Sequence, residues 1–172
     1  MSDRRPLLAR WRVPLGFVTA IVVIIYSSPT WPTLWIGFAI AVVGEAMRVW
    51  AAGHLEKSRE VTRSGPYRFT RHPLYLGSSI IAVGVMLAAS SLVVAVLGTV
   101  YMVATIGTAI RTEEAFLREA FGDTYTRYAR SAAEPMHRRF SLERAMRNRE
   151  YRAAVGLVCG FALLALKVVV SV

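Results

Sequence analysis

An all-α, polytopic integral membrane protein is the fold class this sequence predicts, and three observations predict it. Hydrophobic residues make up 55% of the 172 positions, and the mean hydropathy is +0.43. Five apolar runs recur along the chain, at 13–28, 34–53, 73–89, 92–110 and 153–172. The 21 Lys and Arg outnumber the 11 Asp and Glu, giving a net charge of +10, and nearly all the basic residues fall between alternate runs. A membrane helix needs about 20 apolar residues, so five spans consume most of the chain. The residues 1–172 therefore read as one membrane domain, without room in this sequence for a nucleotide-binding domain of ~100 residues. Cys159 is the only cysteine, so no disulfide framework is available. The three histidines, His54, His72 and His137, share no metal-ligand spacing.

The first run closes at Ser27-Ser28-Pro29. Its basic start and apolar core are those of a secretory leader, but the cleavage pattern is weak and further spans follow, so a retained helix is expected. The second run carries Glu45 and Arg48. The third is short for a span. Ser90-Ser91 separates it from the fourth by almost nothing, which predicts a tight helical hairpin, and Pro29 and Pro32 act likewise between the first and second. The fifth is broken only by Lys167, expected to snorkel outward.

Segments 1–12, 54–73 and 111–152 hold four, five and ten Lys or Arg, whereas the turns 27–33 and 90–91 hold none. That asymmetry predicts a cytoplasmic N-terminus and a C-terminus on the other side. The basic excess then reads as topology plus attraction to anionic head groups, not as nucleic-acid binding. Within 111–152, Ala115, Phe116, Ala120 and Phe121 form a helical stripe that carries the fourth helix out of the membrane. Gly122 is expected to cap that helix and Asp123 to start a short one bearing Tyr125 and Tyr128. Residues 140–152 read as an interfacial amphipathic helix leading into the last span.

Two cytoplasmic clusters carry chemistry. In Gly65-Pro66-Tyr67-Arg68-Phe69-Thr70-Arg71-His72-Pro73-Leu74-Tyr75-Leu76-Gly77, Pro73 fits the first position of the third helix. Arg71 and His72 then join the positive end of that helix as an anion site. Tyr75 lies three residues on from His72, on nearly the same face. Gly77 removes a side chain one turn in, so a flat ligand group or another helix can approach. The second cluster is Arg111-Thr112-Glu113-Glu114. Adjacent carboxylates beside a membrane repel each other and are costly to desolvate, unless a cation binds between them. An anion site and a cation site on one hairpin suit a zwitterionic amino-acid group.

These two clusters, followed by Leu117, Phe121-Gly122-Asp123, Tyr125 and Tyr128 at their spacing, resemble the signature of the isoprenylcysteine carboxyl methyltransferase family. Related membrane phospholipid methyltransferases share much of it. The resemblance covers 51–130, about half the chain. It implies S-adenosylmethionine (S-adenosylhomocysteine as product) as cofactor, held at the cytoplasmic helix ends without a Rossmann domain. By motif position it implies a pocket lined by His72, Pro73, Tyr75 and Gly77, with Glu113 and Glu114 taking the α-amino group and ribose hydroxyls. Arg71 and His72 supply charge for the cofactor carboxylate. Tyr67, Tyr75 or Trp50 can face the sulfonium by cation–π contact, and His54 lies at a helix end on the correct side. The resemblance expects an arginine, followed by a proline, near the acceptor carboxylate; here the proline is Pro135, preceded by Ala133-Glu134, and the candidate arginines Arg130, Arg138 and Arg139 are all displaced from that place, Arg130 being the one assigned to the acceptor.

The function this implies is methyl transfer to a lipid or prenylated acceptor entering from the bilayer. A carboxylate acceptor needs only neutralisation by Arg130, whereas an amine acceptor, as in phospholipid N-methylation, must lose a proton with help from Glu114 or His72. Glu45 and Arg48 either contact the acceptor or offset each other's burial as an ion pair. Two readings from other classes remain open. In a non-catalytic membrane scaffold or transport subunit, Arg71 and His72 would simply pair with Glu113 and Glu114. An NADPH-dependent membrane reductase would need more basic and aromatic contacts for its larger dinucleotide.

Overall fold

The computed structural model describes residues 7–134 and 136–171, with side chains described from residue 15 onward. The four basic residues of 1–12 and Pro135 therefore lie outside the described side chains. Among the described residues there are six α-helices, a 3-10 turn at Gly65–Arg68 and no strand. The helices are α1 (Leu7–Tyr26), α2 (Trp31–Ala52), α3 (Pro73–Ala89), α4 (Leu92–Ala129), α5 (Leu142–Arg147) and α6 (Tyr151–Val170). The all-α expectation holds. Three helices, Trp31–Ala52, Leu92–Ala129 and Tyr151–Val170, are long and apolar enough to cross a membrane. Leu15–Tyr26 and Pro73–Ala89 are shorter apolar stretches.

Several boundaries differ from the sequence reading, each for a local reason. The first helix is already formed at Leu7, where the described residues begin, ahead of 13. α2 begins at Trp31 rather than at 34, because Thr30 and Thr33 cap each other: the Thr30 amide donates to the Thr33 hydroxyl at 3.0 Å and the Thr33 amide to the Thr30 hydroxyl at 3.4 Å. Pro32 fits the first turn beside them. α4 does not stop at 110. It runs on past the membrane stretch as the stripe predicts, and at Gly122, with φ 45° and ψ −117°, the helical backbone breaks as expected, so that 123–129 is a short second helix bearing Tyr125 and Tyr128. The helix expected at 140–152 is instead the six-residue α5, followed by a break and a restart at Tyr151. Tertiary contacts make that break: the Asn148 amide donates to the Ala52 and Leu55 carbonyls at 2.8 and 2.9 Å.

The principal packing is α2 on α3. Two glycine pairs cross there, Gly37 with Gly84 and Gly44 with Gly77. A Cβ on Gly44 would meet the Gly77 carbonyl at 2.7 Å, and a Cβ on Gly84 would meet the Gly37 carbonyl at 2.5 Å. The two backbones touch directly, which gives dense dispersion contact where lipid supplies no hydrophobic drive. Next to them Leu34, Ala41, Ala88, Phe161 and Leu164 form the buried cluster. Phe38 packs edge-on to Phe161 of α6 with ring centroids 5.2 Å apart. The outer surface stays apolar, with Phe17, Ile21, Trp35, Val100 and Val158 more than half exposed, as a lipid-facing surface would be.

One end of the bundle joins the C-termini of α1, α3 and α6 to the N-termini of α2 and α4. The Ser28 amide donates to the Ala89 carbonyl at 2.8 Å. Ser90, at φ 48°, and Ser91, the N-cap of α4, make the tight hairpin the sequence predicts. Lys167 reaches toward this end of the bundle, as expected, and is tied down there. Its ammonium donates to the Ile24 and Ile25 carbonyls at 2.5 and 3.0 Å. Those carbonyls are left over at the end of α1, the negative end of its dipole, and they hold the charge more favourably than lipid could. All the chemistry-bearing residues lie at the other end.

Close backbone packing predicts an asymmetry between glycines. Gly84→Val should lower stability by about 1–3 kcal/mol through overpacking. Gly107→Ala, with nothing within 4 Å of its Cβ position, should leave stability unchanged or raise it by up to ~1 kcal/mol. Thermal unfolding of both variants in detergent checks the difference.

Candidate functional site

Pro73 starts α3, and His72 stands at its N-cap. The hairpin brings α4 alongside, so residues 113 and 114 face the start of α3. Successive helical residues point about 100° apart, and the two carboxylates divide accordingly. Glu114 turns to α3: its carboxylate accepts from Arg71 at 3.2 Å, from His72 Nε2 at 3.0 Å and from Arg118 at 3.3 Å. The His72 hydrogen bond, with Arg71 and Arg118 adding to it, holds the Glu114 carboxyl below its ordinary 4.5 against the opposing effect of burial. Glu113 instead lines a cavity of about 760 Å³. Among the described residues it takes part in no ion pair, which leaves a half-buried carboxylate open to a cation.

That cavity lies within the ~300–1,000 Å³ range of small-molecule sites. Arg71, His72, Pro73, Tyr75 and Tyr67 line it together with Glu113, and so does Arg48. The Tyr128 hydroxyl donates to the Tyr67 carbonyl at 2.8 Å, fixing the 3-10 turn against the end of α4. Burial first, then the Glu113 carboxylate, push the Tyr67 phenol up, and burial pushes Tyr128 up to about 12. Both phenols stay protonated at neutral pH. The cavity runs along α4 as far as Thr105 and Thr108, and reaches the first turn of α6 at Arg152 and Ala153.

The other predicted residues lie elsewhere. Gly77 is occupied by helix packing: a Cβ there would meet Arg48 Cγ at 2.6 Å. His54 is buried, with Nδ1 3.1 Å from the Ser64 hydroxyl and its ring against Phe140. Burial, then the Arg144 and Arg138 charges, lower its pKa below 6.5, so it is neutral at pH 7. Arg130 is exposed at the end of α4 and does not line the cavity. Arg138 pairs with Glu60 at 2.6 Å. Glu45 and Trp50 line a second, apolar groove of about 500 Å³ between α2 and α6, with Phe38, Phe140, Leu157 and Val158.

Sequence reasoning missed Glu150. Its carboxylate accepts from Arg48 Nε at 2.6 Å, whereas Glu45, the expected partner one turn away, stands at 3.7 Å. Arg48 also donates to the Ser78 hydroxyl. It missed Glu56 as well, which holds Arg144 at 2.8 Å and Arg147 at 2.9 Å and so straps α5 across the 54–62 loop. No local spacing announces partners some 90 to 100 residues apart.

Residues 18–124 match the sequence model of the phospholipid methyltransferase family, described as PEMT. The chain belongs to that family. It is 30% identical over 132 residues to the cobalt-zinc-cadmium resistance protein CzcN of Cupriavidus metallidurans, covering 70% of this chain and 58% of that one. It is 29% identical over 129 residues to the nickel-cobalt-cadmium resistance protein NccN of Alcaligenes xylosoxydans xylosoxydans, covering 70% and 59%. It is 32% identical over 111 residues to a probable protein-S-isoprenylcysteine O-methyltransferase of Oryza sativa, covering 58% of each. The chain thus spans a little under three-fifths of the length of these relatives. No solved structure matches it. Among the described residues no three His, Cys, Asp or Glu side chains gather as a metal site.

The Glu114 network predicts a pH dependence. A carboxyl held below its ordinary value contributes stability that is complete above about pH 5 and is lost as pH falls through the folded-state value. Glu114→Gln should therefore destabilise the protein at pH 7 and flatten the loss of stability between pH 5 and pH 3. Chemical unfolding at a series of pH values checks both effects.

Proposed function

We propose that this chain is an integral membrane methyltransferase that binds S-adenosylmethionine in the 760 Å³ cavity and methylates a lipid or prenylated acceptor. In this reading α1 to α4 and α6 all cross the bilayer, with α3 the short span, and the N-terminus and cavity face the cytoplasm. The charge asymmetry of the connecting segments supports that orientation. Family membership supports the reaction class, and the relative named as a probable isoprenylcysteine O-methyltransferase supports a lipid-like acceptor.

The observation that carries the proposal is the division of labour between Glu113 and Glu114. Glu114 is spent on Arg71 and His72, while Glu113 stays open beside Tyr67 in a cavity with aromatic walls. An open carboxylate takes an ammonium, and neutral phenol rings face a sulfonium without competing for a proton. The donor set therefore fits an amino-acid-bearing sulfonium. When bound, that cofactor supplies an electrophilic methyl group. The chain holds the amino end on Glu113, presents Arg71 and His72 toward the carboxylate, and keeps bulk water out with Tyr67, Tyr75, Phe116 and Tyr128. Positioning and dehydration of this kind supply much of what a displacement at carbon needs. In this reading the acceptor comes from the bilayer along Thr105, Thr108 and Ala153, which line the cavity.

Calorimetric titration of S-adenosylhomocysteine into the full chain in detergent tests this. Micromolar binding is expected, and Glu113→Gln should weaken it at least tenfold, the scale of one charged hydrogen bond worth about 1.5–3 kcal/mol. Failure of the folded wild type to bind, with and without added lipid, would sink the assignment. Binding of NADPH in its place would point to the reductase reading, and binding of neither to a scaffold.

A further inference from the structure

The break between α5 and α6 is built on a residue that has no backbone reason to be there. The Arg149 amide donates to the Met146 carbonyl at 2.9 Å and the Glu150 amide to the Ala145 carbonyl at 3.2 Å. That bond pair closes a Schellman turn, whose left-handed position is ordinarily glycine. Here it is Arg149, at φ 62°. A side chain with a Cβ is disfavoured in this conformation, and strain of this sort persists where the surroundings over-determine it. They do so on both sides: Asn148 is tied to the Ala52 and Leu55 carbonyls, and Glu150 to Arg48.

The side chain of this residue is exposed and lines the mouth of the cavity. Among the described residues it joins no ion pair, unlike Arg144 and Arg147 just before it, which both hold Glu56. Lys57 and Arg152 line the same cavity and are likewise without ion pairs among the described residues. The other cavity arginines are matched, Arg48 by Glu150 and Arg71 by Glu114. The open charge is thus negative at Glu113 and positive at Lys57, Arg149 and Arg152. The positive group brackets the start of α6, where that helix would enter the membrane at head-group depth.

We infer that Arg149, aided by Lys57 and Arg152, is an acceptor-binding residue that reads an oxyanion, phosphate or carboxylate, on the membrane-borne acceptor. This rests on the methyltransferase reading and deepens it: Glu113 serves the cofactor and Arg149 the second reactant. General attraction to anionic lipid needs basic residues near the surface, but it does not need one held in a left-handed turn facing a cavity.

The turn supplies the test, because Arg149→Gly should leave the fold intact or more stable while deleting the cation. The full chain in nonionic detergent is titrated with dihexanoyl phosphatidic acid, decanoate, neutral dihexanoylglycerol and inorganic phosphate, with S-adenosylhomocysteine measured in parallel. Wild type should bind at least one of the two anionic amphiphiles and not the neutral one. Arg149→Gly should lose at least tenfold in that affinity, with the melting temperature equal or higher and S-adenosylhomocysteine affinity unchanged. Arg59→Gln, which removes an exposed charge from the neighbouring loop, should bind as wild type does. The inference is overturned if neither anionic amphiphile binds, if Arg149→Gly binds them normally, or if Arg59→Gln loses as much. It is overturned equally if inorganic phosphate binds as tightly as the lipid, or if Arg149→Gly loses S-adenosylhomocysteine instead. Absence of S-adenosylhomocysteine binding in the wild type strikes the methyltransferase reading, whereas a normal response of Arg149→Gly to the amphiphiles strikes this site alone.

Discussion

Backbone contact between α2 and α3 is the constraint on which the rest of the molecule depends. Gly37 against Gly84 and Gly44 against Gly77 let the helix axes approach until carbonyl meets glycine Cα. At that separation Arg48 has nowhere to go but along the α3 surface, where Ser78 receives it and Gly77 leaves space for its stem. The guanidinium then reaches Glu150 and pins the start of α6. The same contact fixes where α3 begins, and hence where Arg71 and His72 meet α4. A site that must hold two reactants in register benefits from this kind of support, because helix backbones in direct contact have little freedom to slide.

Charge is handled in two ways: several carboxylates are paired with arginines and tie segments together, and a few charged side chains that line the cavity have no ion pair among the described residues. Glu56, Glu60, Glu114 and Glu150 each hold at least one arginine. These pairs bind segments far apart in sequence, and they bring 136–150 down over the 53–64 loop. Desolvating a charge near the membrane is costly unless a partner offsets it, so the pairs are the expected resting state of most of these side chains. Among the charges without an ion pair in the described residues, Glu113 on one side and Lys57, Arg149 and Arg152 on the other are the ones that line the cavity.

The relatives place this arrangement in a family without narrowing the acceptor. Two are named for metal resistance and one for methylation of a prenylated cysteine. The shared stretch, residues 18–124, covers α3, the hairpin and the carboxylate pair. It stops before α5 and α6, which supply Glu150, Arg149 and Arg152 to the cavity. Arg71, His72 and Glu113, proposed to hold the cofactor, thus lie within the family match, and Arg149 and Arg152, proposed to read the acceptor, lie outside it.

The sequence by itself determined the all-helical class, the hairpin at Ser90-Ser91, the start of α3 at Pro73 and the gathering of polar chemistry in 54–73 and 111–152. All of these follow from local causes: apolar run length, proline and serine chemistry at helix ends, and the sidedness of charge. It also put Arg71, His72, Glu113 and Glu114 among a longer set of candidate site residues. Only the tertiary structure decided which carboxylate was free, because a 100° step along α4 has meaning only once α3 lies beside it. Only it showed that Gly77 serves the neighbouring helix, that His54 is enclosed, and that Arg48 answers to Glu150 rather than to Glu45. The small residues at 37, 44, 77 and 84 were visible in the sequence, but their pairing was not. Partners more than 40 residues apart meet through the path of the chain, and a linear pattern does not carry that path.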